Sequence, residues 1–163
     1  MKQLWAPWRM AYIEHDTDEP GCIFCTKPRR ADSRDALVVA QTGHSVVMLN
    51  KYPYNNGHLL VAPKRHEKQL SSLPAAEYDD MNDALRRAVD IVREVFHPDG
   101  INLGMNMGKC AGAGVEDHMH WHIVPRWEGD TNFMPVLGET RVMPQHLLDC
   151  YDRLKPHFGN FVG

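Results

Sequence analysis

No stretch of the 163 residues is apolar for anything near the ~18 positions that a membrane-crossing helix needs. The chain also lacks a basic excess. Lys and Arg number 18 against 21 Asp and Glu, a formal charge of −3, which argues against a nucleic-acid polymer as the main partner. Small phosphate ligands remain allowed, because they need only local basicity and aimed backbone N–H groups. There is no internal repeat, no low-complexity tract and no interdomain linker. The opening MKQLWAPWRMAYIEHD carries charges and a proline but no apolar h-region, so it does not read as a signal peptide. The expected compartment is therefore the cytoplasm, where paired cysteines mean metal or redox chemistry more often than a structural disulfide.

What is present fits a soluble globular protein, with 43% hydrophobic and 24% charged residues. One domain is expected over 1–163, with an N-terminal arm at 1–20, a core at 21–127 and a C-terminal extension at 128–163 that holds a helix. KPRRADSRD (27–35) reads as a solvated loop. DALVVAQ and HSVVMLN, separated by a turn at Thr42–His44, predict a hairpin. Asn55-Asn56-Gly57 is a turn before a short strand, His58 to Ala62, which Pro63 ends. SSLPAAEYDDMNDALRRAVDIVREVF predicts one long helix, with Tyr78, Met81, Leu85, Ala88, Val92 and Val95 forming its buried stripe. INLGMNMG reads as a strand and MPQHLLDCYDRL as a second helix. Antiparallel strands in hairpins with two helices make an α+β domain.

The densest chemistry lies in EDHMHWHIVPRW (116–127). On a strand, alternate side chains share a face. His118, His120 and His122 then point one way, while Met119, Trp121 and Ile123 turn toward the core. Three readings compete for such a strand. The histidines are scattered on a half-exposed face, or a His-x-His pair holds a metal, or a neutral imidazole acts as a nucleophile on phosphorus. The glycine-rich NMGKCAGAG (106–114) just ahead allows backbone N–H groups to converge on an anion. In GCIFC (21–25), Cys22 and Cys25 have the spacing of a redox pair or of half a metal site.

HMHWHIV followed by Pro-Arg resembles the signature of the histidine triad (HIT) superfamily of nucleotidyl transferases and hydrolases. LNKYPYNNGHLLVAPKRH is similar to that family's stretch in which an Asn or Asp ends one strand and Gly-His-apolar-apolar-Val-x-Pro opens the next, and the likeness runs from about residue 20 to 127. LWAPWRMAYI, LNKYPYN and PRWEGDTNFMPV look most like the diadenosine tetraphosphate phosphorylase branch, which extends the likeness over nearly the whole chain. The resemblance implies an antiparallel sheet with one long helix and a C-terminal helix, the sheet extended across a homodimer. It implies an adenine nucleotide or dinucleoside polyphosphate substrate cleaved at the α-phosphate through a nucleotidyl-histidine. Non-enzymatic nucleotide binding, and a zinc hydrolase with metal on His118 and His120, stand as alternatives.

Carried onto this chain, the family pattern makes His120 the nucleophile, His58 the histidine that orients it, and His122 the contact on the leaving-group side. It places Asn50 at the ribose hydroxyls, Asn106 with the backbone of Gly114 and Val115 at the phosphates, and Phe24 and Met48 at the purine. For Phe24 and Met48, ordinary core is an equal reading. Where many relatives carry side-chain donors, this chain has Ala113-Gly114. Zinc-bearing relatives add to the two cysteines a histidine matching His66 and the first of the triad, His118, so the implied set is Cys22, Cys25, His66 and His118. Such a closed Cys₂His₂ set would hold a structural zinc and leave His120 to the chemistry. Cys110 and Cys150 match no ligand position.

Overall fold

The computed structural model describes residues 21–115, 117–130, 145–159 and 161. The expected N-terminal arm and the 131–136 part of the phosphorylase-like tail lie outside the described residues. Among the described residues, five strands, β1 (Val38–Gln41), β2 (Ser45–Leu49), β3 (Leu59–Pro63), β4 (Gly100–Met105) and β5 (Trp121–Arg126), form one antiparallel sheet in the order β1-β2-β3-β5-β4. The expected hairpin is there, with Gln41 opposite Val46. Among the described residues, three α-helices accompany the sheet: a short α1 (Ile23–Thr26), the long α2 (Ala75–Phe96) and α3 (Leu147–Leu154). This is the α+β architecture the sequence implies. No helix among the described residues is long and apolar enough to cross a membrane.

Alternation along the strands separates two apolar clusters, one on each face of the sheet. Val47, Leu49, Leu59, Val61 and Ile123 face α2 and α3, where Met81, Ala84, Ala88, Val92, Cys150 and Leu154 meet them. Val46, Met48, Leu60 and Ala62 face the other way and pack with Phe24, Ala36 and Val38. The helix buries Met81, Ala84, Ala88, Val92 and Val95. Leu85 packs against that core at its margin, whereas Tyr78 is 37% exposed and is not part of the stripe. Its position explains this. Asp80 takes hydrogen bonds from the Thr42 and Ser45 hydroxyls at the β1–β2 turn, so the first turn of α2 sits at the rim of the sheet, where little covers it.

β3 runs on through Pro63 and β4 stops at Met105, and two further differences from the expected strand boundaries bear on the site. β3 begins at Leu59 and leaves His58 in the loop; β5 begins at Trp121, so His118 and His120 precede the ladder and only His122 lies in it. Pairing of β3 with β5 stops at Val61 opposite Trp121. Pro63 has no N–H with which to continue it. The Met119 N–H instead bonds the Glu67 carbonyl at 2.8 Å, and the His118 ring bonds the Pro63 carbonyl at 2.8 Å. Met119 still points into the helix-side core, as the alternation requires. At the other end of β3, Gly57 has φ +71°, and a Cβ there would lie 2.6 Å from the Phe96 ring. Glycine is thus required for the turn that delivers His58.

Candidate active site and metal cluster

Cys22 and Cys25 flank Phe24 at the start of α1, and the backbone turn Cys25 N–H to Cys22 carbonyl, 3.0 Å, aims both thiols to one side. His66 follows β3 and His118 precedes β5. Cys22 Sγ lies 3.2 Å and Cys25 Sγ 3.6 Å from His118 Nδ1, and Cys25 Sγ is 3.4 Å from His66 Nδ1. The four ligand atoms lie within 4.8 Å of one another, the separation of donors around one tetrahedral ion. Because the Pro63 carbonyl can only accept, His118 carries its hydrogen on Nε2 and turns the Nδ1 lone pair to the sulfurs. The donor set and this outer hydrogen bond fit a zinc-type cation. The structure therefore brings together all four residues implied by the resemblance. His120 is not among them, and of the other cysteines Cys110 is exposed and Cys150 is buried in the core.

The triad continues away from this cluster on the face opposite α2. The Phe24 ring packs against both His118 and His120, with centroids 5.1 and 4.8 Å apart. His120 is buried, and its Nδ1 lies 2.9 Å from the His118 carbonyl. That carbonyl takes the ring hydrogen and leaves Nε2 with a lone pair. Burial lowers the His120 pKa from its ordinary value, which keeps the ring neutral at pH 7. His122, with its centroid 4.9 Å from His120, is likewise held down to about 4, by burial first and the neighbouring His120 second.

His58 is fully buried, and its contact differs from the expected one. Its Nε2 lies 2.9 Å from His122 Nδ1, so it orients His122, while the main chain orients His120. The reason is register: Leu60 pairs with His122, so the residue leading into β3 lies beside the ladder histidine. The fixing group on the far side is one that residue types do not reveal. The backbone N–H of Tyr54 donates to His58 Nδ1 at 3.0 Å, and the Tyr54 ring lies nearly parallel to His122 at 5.8 Å. Only the proximity of Tyr54 to the NNGH turn hinted at it.

Asn50 sits at the end of β2, with its side chain oxygen accepting from the Tyr52 N–H at 3.0 Å and its amide nitrogen 3.4 Å from His58 Nδ1. Asn106 donates to the Gly112 carbonyl at 3.2 Å and so braces the glycine-rich loop from within. Gly114 is exposed at that loop, and Val115 packs against the Phe24 cluster. Phe24 and Met48 are both almost wholly buried in that cluster, at the level of the histidine rings.

A HIT domain model matches residues 32–129. The chain belongs to the HIT family. It is 36% identical over 157 residues to a Mycobacterium tuberculosis protein named AP-4-A phosphorylase, covering 91% of this chain and 80% of that one. It is also 36% identical over 97 residues to the bis(5'-adenosyl)-triphosphatase of Dictyostelium discoideum, covering 60% of this chain and 64% of the relative. Among solved structures, a hypothetical histidine triad nucleotide-binding protein from Sulfolobus tokodaii superposes with a TM-score of 0.67 at 24% identity, covering 86% of this chain and 93% of that one. A Zn-bound histidine triad family protein from Mycobacterium smegmatis gives 0.64 at 24% identity, covering 86% and 95%. At this identity these two establish the HIT fold.

Proposed function

We propose that this HIT protein cleaves the α-phosphate linkage of adenine dinucleotide polyphosphates, diadenosine tetraphosphate among them, through a nucleotide carried on His120. The observation that carries this reading is the His120 ring itself. It is neutral and buried, its hydrogen is tied to the His118 carbonyl, and its Nε2 keeps a lone pair. His122 contacts the scissile phosphate and the leaving side, and His58 positions His122. Phe24 and Met48 floor the purine site, and Asn50 meets the ribose. The N–H groups of Gly114 and Val115 receive the phosphates on a loop braced by Asn106. The names of the M. tuberculosis and D. discoideum relatives support the substrate class.

Cys22, Cys25, His66 and His118 hold a zinc ion in this reading, and the ion supplies a fixed cross-link between α1, the end of β3 and the triad. β4 ends the sheet with one edge unpaired among the described residues, and two copies join along it into a homodimer in the cytoplasm.

Incubation with diadenosine tetraphosphate, with and without inorganic phosphate, tests the reading. ADP plus ATP only with phosphate identifies phosphorolysis; AMP plus ATP regardless identifies hydrolysis. Neither pair appearing from metal-loaded protein would overturn it.

A further inference from the structure

The turn that delivers His58 is tied to the strand that carries His122 by one side chain. The Asn55 carboxamide has both hydrogens and its oxygen engaged. Its Nδ2 donates to the Pro125 carbonyl at 3.1 Å and to Asp130 Oδ2 at 2.8 Å, and its Oδ1 accepts from the Asn56 N–H at 3.1 Å. Exchanging the amide oxygen and nitrogen would set an acceptor against a carbonyl and a carboxylate, so the orientation is fixed. The main chain of the same residue holds His58, whose N–H donates to the Asn55 carbonyl at 3.2 Å. Asn55 thus grips His58 with its backbone and β5 with its side chain.

Register explains why a side chain performs this task. On the His58 side, pairing of β3 with β5 ends at Leu59 opposite Ile123, and Pro125 lies beyond it. From there the turn is joined to β5 through Asn55. Asp130 supplies the anchor. Its side chain is only 9% exposed, and besides Asn55 it accepts from Arg126 Nε at 2.6 Å, Arg126 Nη2 at 2.8 Å and the Trp127 N–H at 3.1 Å. Arg126 in turn donates from Nη1 to Asn102 Oδ1 on β4 at 3.0 Å. Two parallel charge-assisted bonds from one guanidinium hold the carboxylate in a single geometry. LNKYPYN and PRWEGD, far apart in the sequence, therefore meet in one network.

We infer that Asn55, anchored by Asp130, is a positioning residue that fixes His58 against His122. His58 Nε2 and His122 Nδ1 stand 2.9 Å apart, and that distance is set by where the turn lies along β5. The Tyr54 N–H that meets His58 Nδ1 belongs to the same turn, so the His58 ring is held at both nitrogens by groups whose placement depends on Asn55. The consequence for turnover rests on the proposed function, in which His122 contacts the scissile phosphate. Asn55 acts there through two imidazoles and not on the substrate itself. Releasing it misplaces His122 in the bound complex while the proposed nucleoside contacts, Phe24 and Met48, stay where they are. The loss then falls on kcat and not on KM.

Asn55→Ala and Asp130→Asn, made in the metal-loaded full chain, test the assignment. The first removes both donors; the second removes the charge and keeps an acceptor oxygen. Nitrogen-15 NMR reads the His58–His122 contact without substrate, through the coupling across the N–H···N hydrogen bond. The coupling is expected in the parent, weakened in Asp130→Asn and lost in Asn55→Ala. With diadenosine tetraphosphate, kcat of Asn55→Ala is expected to fall by ~10- to 100-fold with KM and bound metal near the parent's, and Asp130→Asn to lie between. An intact coupling in Asn55→Ala, or a parental kcat with only a lowered melting temperature, would overturn the inference and leave the proposed function in place. If Asn55→Ala does not fold, Asp130→Asn decides, and parental coupling and kcat in that variant would overturn the inference. A parent that turns over no dinucleotide, with the coupling lost in Asn55→Ala, would overturn the proposed function and uphold the positioning of His58.

Discussion

The two ends of the triad are built from the same residue type and held in unlike ways. At the His118 end, a main-chain carbonyl takes the Nε2 hydrogen and two sulfurs and a second imidazole surround Nδ1. At the His122 end, the His58 imidazole shares a hydrogen bond with Nδ1, and Nε2 is buried with no hydrogen-bond partner among the described residues. His120, between them, has the opposite tautomer because the backbone turns a carbonyl to its Nδ1. The partner on one nitrogen decides what the other can do, so under the proposed function one end is the metal ligand, the middle the nucleophile and the far end the phosphate contact.

Substitutions can break this contrast one position at a time. The largest effect is expected at the centre. His120→Ala is expected to abolish turnover while leaving nucleotide binding within a fewfold of the parent, checked by product formation and by calorimetric titration. At the far end, His122→Ala removes one preorganised hydrogen bond, for which ~10²–10³-fold in kcat is the ordinary cost, with bound metal unchanged. At the metal end the signature inverts. Cys22→Ser is expected to remove the bound metal, and about 3 kcal/mol of lost ligation lowers the melting temperature by ~6–12 °C at this chain length. Metal analysis and calorimetry report both, and unchanged metal content would contradict the ligand set.

The smallest effect concerns pH. His122 has an ordinary pKa of 6.5 and is held down to about 4 in the folded chain. Between those values the unfolded chain takes up a proton that the folded chain refuses, so stability falls as pH drops through that window. Melting curves from pH 7 to 4 are expected to show this fall, and to show less of it in His122→Ala.

Much of this was legible in the sequence because it follows from side-chain type and spacing. The period of α2 located its core face from Met81 to Val95, and the alternation from Met119 to Ile123 separated core from chemistry. The Cys₂His₂ set was legible through the family likeness, and the fold then assembled it. What stayed hidden depends on the backbone. The late start of β5 follows from the missing N–H of Pro63, which switches the pairing of Met119 to Glu67. Tyr78 is exposed because the end of the sheet, not the helical period, limits burial there. The His58 contact depends on the register of β3 against β5, and the Tyr54 N–H that fixes its tautomer belongs to a group every residue but proline carries.

The most direct test of the central claim is to quench the reaction of the metal-loaded protein with diadenosine tetraphosphate early in turnover and map the modified peptide by mass spectrometry. The account predicts one AMP moiety on His120, absent from His120→Ala. Turnover by the parent with no adduct on any histidine, or an adduct on His122 instead, would contradict it.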